Sequence, residues 1–217
     1  MNDPTDDILC LQDCDETVAD FYRLERPKAP WGDYGDMLLH GMTTFRARDT
    51  DSTKLKRSGP FVPPIFFPDS DCIVTDTVKR ELQSSGLTGF SFVPAIKSVI
   101  VPIAWHEWDL FSDAPAFYPE GGEPESYISE DAHSQELARK IPDLWRLVPD
   151  LGATEIRVPE STHYVPNLQI FIRATSWKGS DFFRADTTLY TYVSPHARHW
   201  LLERYPAWLA CTPVQTK

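Results

Sequence analysis

Apolar positions fall into short runs whose spacing switches between two and about four residues, and the clearest block begins at Cys72. Cys72-Ile73-Val74 predicts a buried strand, Thr75-Asp76 a helix start, and Val78 and Leu82 lie on one helical face. Gly86 is placed to end that helix in a left-handed conformation. Leu87 to Pro94, through Phe90 and Phe92, predicts a return strand, and Val99 to Trp105 another, with Lys97-Ser98 as the turn between them. Further along, Ser129 caps a helix through Ala132, Leu137 and Ile141, and Pro142 either disturbs it or fixes the start of a new turn over Asp143 to Val148. Thr154 to Val158 and Leu168 to Trp177 predict strands, and Leu168 to Ile172, with apolar residues on both faces, suits a central one. At the C-terminal end Tyr190 to Val193 predicts a strand and Ser194-Pro195 a helix start with Pro at its harmless first position. Ala197, Trp200 and Leu201 give that helix its apolar face, and Leu209 to Pro213 a last strand. Upstream, Arg46, Arg48, Lys54, Lys56 and Arg57 sit in a Thr/Ser/Asp-rich stretch that reads as a loop, followed by an extended path over Gly59 to Pro64.

The two strand-helix-strand blocks superimpose without a gap. Val74 falls on Val193, an offset of 193 − 74 = 119, and Thr75 on Ser194, Lys79 on Arg198, Leu82 on Leu201 and Phe90 on Leu209 follow at the same offset. Phe66-Phe67 precedes the first block and Phe182-Phe183 the second. The expected architecture is α+β: two related strand-helix-strand units, about residues 60–105 and 166–214, packed around mixed or antiparallel sheets in a single compact domain 1–217, with an acidic insertion over 106–150.

Composition narrows the function. Asp and Glu number 32 against 21 Lys and Arg, a net charge of −11, which disfavours direct contact with nucleic acid or anionic lipid. The opening MNDPTDDILCLQDCDE has no basic leader or long apolar run, so a cytoplasmic location is expected, with Cys10, Cys14, Cys72 and Cys211 as thiols and the last two in the core.

Chemistry-bearing motifs are sparse. There is no G-x-S-x-G, no G-x-x-x-x-G-K-[ST], no G-x-G-x-x-G and no H-E-x-x-H; His106-Glu107 is followed by Leu110 where a second zinc histidine would stand. His196 and His199 share a helix face but supply only two ligands, and Cys10 and Cys14 lack a partner pair at zinc spacing. No catalytic residue, metal or cofactor is expected, and oligomeric state is not legible.

Charge is concentrated in two blocks. Residues 1–20 carry seven acids, and residues 107–136 nine, with no Lys or Arg in either. The second block interleaves carboxylates with aromatics and is the candidate partner-binding surface: Glu107, Trp108, Asp109, Asp113, Phe117, Tyr118, Glu120, Glu123, Glu125, Tyr127, Glu130 and Asp131. Aromatics provide rigid contact area while carboxylates steer a basic partner. The competing reading is a solvated loop whose aromatics anchor it to the core.

The stretches GPFVPPIFFPDSDCIVTDTVKRELQSSGLTGFSFVPA and FFRADTTLYTYVSPHARHWLLERYPAWLACTPV resemble the repeated units of bacterial immunity proteins encoded beside polymorphic toxins, relatives of the double-CXXCG-motif proteins. Ile73-Val74-Thr75 and Tyr192-Val193-Ser194 match the helix starts and Gly86 to Phe90 the turn, whereas both CXXCG elements are missing, and with them the zinc ribbons. The resemblance implies a stoichiometric, non-enzymatic inhibitor of a cognate toxin, of the kind delivered by type VI secretion. With the acidic block it suggests a basic toxin acting in the cytoplasm, such as a nuclease. An adaptor or chaperone that loads a secreted effector is the alternative, and an enzyme using His106 a third.

Overall fold

The computed structural model describes residues 19–44, 52–102, 113, 124–159 and 168–217. In chain order these form β1 (Phe21–Glu25), α1 (Asp33–His40), β2 (Met42–Thr44), β3 (Thr53–Gly59), β4 (Ile65–Phe66), β5 (Cys72–Thr75), α2 (Asp76–Ser84) and β6 (Phe90–Pro102). After them come α3 (Pro124–Glu130), α4 (Gln135–Lys140), β7 (Leu144–Ala153), β8 (Glu155–Pro159), β9 (Leu168–Ile172), β10 (Phe182–Ala185), β11 (Tyr192–Val193), α5 (Pro195–Arg204) and β12 (Ala210–Thr216). Helices and a mixed parallel and antiparallel sheet make the fold α+β. The chain divides into two compact units: residues 28–86 with 90–148, and residues 1–27 with 87–89 and 149–217.

In the first unit the strand order is β2-β3-β6-β7-β5-β4. β2 runs antiparallel to β3, β3 parallel to β6, and β5 antiparallel to both β7 and β4. Its core gathers Leu55, Phe66, Ile73, Ile100, Ala138, Ile141 and Leu144. Helix α2 buries Val78 and Leu82, the residues whose spacing predicted it, and Gly86 follows at φ +81°, where a side chain would be strained.

In the second unit the order is β8-β9-β12-β1-β11-β10. β8 is antiparallel to β9, β9 parallel to β12, β1 antiparallel to both β12 and β11, and β11 antiparallel to β10. Its core holds Phe21, Ala153, Ile172, Phe183, Ala185, Tyr192 and Val214. The Phe183 and Tyr192 rings stack at 5.6 Å, and Phe21 meets Phe183 edge-on at 5.1 Å. Ser194 caps α5 by accepting the Ala197 N–H at 3.1 Å, with Pro195 next, as the sequence predicts.

Several boundaries differ from expectation, each for a physical reason. Lys54, Lys56 and Arg57 belong to strand β3, not a loop: Thr53, Leu55 and Arg57 alternate inward, so the buried face is largely polar and hides the pattern. Lys97-Ser98 is no turn but a bulge in one strand, β6. Leu55 lies opposite Lys97 and Lys56 opposite Val99, and the extra Ser98 hydroxyl donates to the Leu55 carbonyl at 2.7 Å. The helix expected from Ser129 is two, α3 and α4, with Ser134 as the second cap. Residues 144–148 of the expected turn lie in β7, and the strand expected to reach Trp177 stops at Ile172, before a 3-10 turn over Ala174–Ser176.

Candidate functional site

Part of the acidic block lies among the described residues, as a ledge formed by α3 and α4 in the first unit. Ile128 holds α3 down: its side chain is 0% exposed, while Glu125 and Glu130 on the same helix, and Asp131 after it, are exposed. The joint between the helices is pinned to β6 from both sides. The Ile100 N–H donates to His133 Nδ1 at 3.0 Å, and the Ser134 N–H donates to the Ile100 carbonyl at 2.8 Å. Accepting at Nδ1 leaves Nε2 to donate to Gln135 Oε1 at 3.2 Å, which sets the neutral tautomer. Ala138 and Ile141 then enter the core. Glu136 is paired with Lys140 at 2.7 Å one turn on, and that hydrogen bond and charge hold its carboxyl below the usual range. The ledge thus presents carboxylates from a backbone tied to the sheet.

Beside the ledge runs an open groove of about 630 Å³, lined by Ala95, Ile96, Lys97, His133, Arg139 and Asp143 among others. Ile96, one of these lining residues, is 47% exposed. Lys97 Nζ donates to the Ile141 and Pro142 carbonyls at 2.8 and 3.4 Å, so this cation closes the end of α4.

Of the residues expected to bind a partner, Glu125 and Glu130 are exposed on α3, Asp131 is exposed just after it, and Asp113 is exposed. Tyr127 lies in α3, its side chain not among those described. Glu107, Trp108, Asp109, Phe117, Tyr118, Glu120 and Glu123 lie outside the described residues, as do His106, Cys10 and Cys14. Cys72 is buried and its thiol is pushed far up by burial; Cys211 is half-buried, its thiol pushed up to about 12. His196 and His199 are exposed on α5, and among the described residues no group of three His, Cys, Asp or Glu is placed to hold a metal.

Two polar clusters in the second unit were not singled out in the sequence. Glu155 has a side chain 0% exposed and accepts from Arg157 Nε at 2.5 Å, the Tyr192 hydroxyl at 2.6 Å and the Thr188 hydroxyl at 3.0 Å. Burial and this carboxylate push the Tyr192 phenol up. Asp181 accepts from the backbone and hydroxyl of Thr88 at 3.0 and 3.1 Å, from Ser194 at 2.8 Å, and is joined by His196 Nδ1 at 3.2 Å. Burial raises its carboxyl, but the bonds from Ser194, Thr88 and His196 outweigh that and leave it below the usual range. Both clusters are satisfied internally and lock loops to strands. In the first unit Arg57 is 0% exposed: Nε donates to the Ser58 carbonyl at 3.1 Å, one terminal nitrogen to the Phe61 carbonyl at 3.0 Å, and the guanidinium lies 4.6 Å from the Phe66 ring centroid.

Among the described residues no helix is long and apolar enough to cross a membrane. Comparison with protein-family models, with curated proteins and with solved structures finds nothing that matches this chain.

Proposed function

We propose that this chain is an immunity protein that binds a basic cognate toxin, plainly put a stoichiometric inhibitor acting in the cytoplasm, with the acidic block over residues 107–136 as its contact surface. The observation that carries this reading is the ledge: Glu125, Glu130 and Asp131 are exposed on a segment held to the sheet by buried Ile128 and the bonds of His133 and Ser134 to Ile100. A solvating tail needs no such anchoring, whereas preorganised carboxylates lose less freedom on binding. A nuclease is the toxin class favoured, because a nucleic-acid-cleaving protein carries a cationic groove that carboxylates can occupy in place of phosphates. The likeness of the two strand-helix-strand stretches to immunity proteins of polymorphic toxins supports the same reading.

The test is co-expression with the toxin encoded by the neighbouring gene. Cells making the wild-type chain survive, and the variant Glu125→Lys, Glu130→Lys, Asp131→Lys associates more slowly at low salt, by about tenfold or more. An unchanged association rate removes the ledge from the interface, and toxin that still kills in the presence of the wild-type chain refutes the inhibitor reading. A complex that leaves the toxin active assigns the chain to effector loading instead.

A further inference from the structure

The strand orders of the two units correspond term by term, β2-β3-β6-β7-β5-β4 against β8-β9-β12-β1-β11-β10, with the same sense in every pairing described for both. Register agrees to the residue. Val74 lies between Ile65 and Trp145, and its equivalent Val193 between Phe182 and Tyr22. This makes Tyr22 the counterpart of Trp145, a relation the earlier alignment of helices does not reach. The sequences around them agree: Asp20-Phe21-Tyr22-Arg23-Leu24 against Asp143-Leu144-Trp145-Arg146-Leu147, with Asp, Arg and Leu shared.

Side-chain contacts repeat as well. Lys79 lies over the Trp145 ring at 3.0 Å from its centroid, and Arg198 over the Tyr22 ring at 4.5 Å. The Asp69 carboxylate accepts the Thr43 N–H at 3.3 Å, and the Asp186 carboxylate, 186 − 69 = 117 residues on, accepts the Glu155 N–H at 3.3 Å. The Thr75 N–H donates to the Pro64 carbonyl at 3.0 Å, and the Ser194 N–H to the Asp181 carbonyl at 2.8 Å. Chance agreement of register, ring stacking and capping bonds in two unrelated folds has no physical cause.

In chain order, however, the matching strands are in the wrong units. β1 opens the first copy of the pattern, yet it lies between β11 and β12 of the second; β7 opens the second copy, yet its residues 144–148 belong with β5 and β6 of the first. We infer that the chain is two fused copies of one strand-exchanging fold, and that the slot between β11 and β12 is a strand-acceptor site whose occupant is the first strand of the other copy. Pairing along both edges of β1, from Phe21–Val214 to Glu25–Ala210 on one side and through Tyr22–Val193 on the other, makes each copy incomplete without its exchanged strand. The inference does not depend on what the acidic ledge binds.

The experiment is to insert a protease recognition sequence between Gly121 and Gly122 of the full chain, cleave the folded protein, and follow the fragments by size exclusion and by amide hydrogen exchange. The expected result is that the fragments co-elute, that the Leu24 amide, bonded to the Thr191 carbonyl at 2.8 Å, stays protected, and that the melting temperature falls on dilution as for a bimolecular complex. Fragments that separate and lose their folded circular dichroism support the inference equally, since each then lacks a strand. Fragments that separate and each remain folded, or that co-elute with the Leu24 amide unprotected, overturn it. A second variant addresses the equivalence of the strands: Phe21→Leu, Tyr22→Trp, Leu144→Phe and Trp145→Tyr together interchange the differing core residues. Retained cooperative unfolding is expected, and a chain that no longer folds overturns the equivalence.

Discussion

Replacing Arg57 by Met should stabilise the protein. The guanidinium is wholly buried, and burial lowers its pKa from the ordinary 12.5 to about 9. At roughly 1.4 kcal/mol for each tenfold change in proton affinity, holding this cation out of water costs about 5 kcal/mol. Arg remains charged at neutral pH, so the cost is met as desolvation and not relieved by losing a proton. Against it stand the bonds to the Ser58 and Phe61 carbonyls and the Phe66 ring, and one terminal nitrogen has no hydrogen-bond partner among the described residues. Stripping two carbonyls of a donor costs about 1 to 2 kcal/mol each, and the ring contact about 1. The balance favours Met, which keeps the apolar stem, by about 1 kcal/mol. Urea denaturation is the assay, and the midpoint should rise by about 0.5 M with an unchanged slope. Arg57→Ala, which also empties the stem's volume, should instead lose about 2 to 4 kcal/mol. If the Met variant is destabilised by about 2 kcal/mol or more at constant slope, the buried charge is compensated and the reasoning fails.

The Glu155 cluster predicts a measurable coupling: in a double-mutant cycle of Glu155→Gln and Tyr192→Phe, the two losses should fall short of additivity by about 1 to 2 kcal/mol, and full additivity would show that the 2.6 Å bond contributes nothing. Asp181 predicts a pH dependence. Its folded carboxyl is lower than its unfolded value, so its contribution is present above the ordinary value of 3.8 and is lost as pH falls through the lower folded one. Asp181→Asn should therefore cost about 1 kcal/mol near neutrality and progressively less as the pH falls through the lowered folded value, and a cost that persists in strong acid would trace to packing. Thiol alkylation followed by mass spectrometry should leave Cys72 unmodified in the native protein and modify Cys211 only slowly near about pH 8, whereas rapid labelling of either at that pH would contradict its burial.

What was legible in the sequence was the part where side-chain polarity and burial agree. Ser194-Pro195 and the Val78/Leu82 spacing announce α5 and α2 because caps and apolar faces act locally. β3 escaped because its inward face carries Thr53 and Arg57 beside Leu55, and two of its outward residues are lysines. β1 escaped for a related reason: Arg23 sits among Phe21, Tyr22 and Leu24, with its charge met by Glu25 at 2.5 Å. A signal for it did exist, since Asp20 to Leu24 aligns with Asp143 to Leu147. Only the sheet makes that match meaningful, because it requires strands distant in the chain to take equivalent places. The acidic block was legible as charge; the anchoring that turns part of it into a ledge depends on Ile100 meeting His133 and Ser134, which no local pattern shows.

Equivalent positions that differ in chemistry say where the two units have parted. Ile73 stands in the first where Tyr192 stands in the second, Thr43 where Glu155 stands, and Pro64 where Asp181 stands. In the first unit the Thr43 hydroxyl turns to the Asp69 carboxylate and Ile73 packs in an apolar core. In the second, Tyr192 reaches Glu155 and brings Thr188 and Arg157 with it, tying the loop before β11 to β8. The polar substitutions thus appear as complete sets: a buried carboxylate arrives together with the phenol, hydroxyl and guanidinium that satisfy it, as it must if its desolvation is to be offset. The ledge obeys the opposite logic. Its Glu125, Glu130 and Asp131 are exposed to water on a backbone that is fastened elsewhere, which costs folding little and leaves their field directed outward, where a cationic partner would meet it.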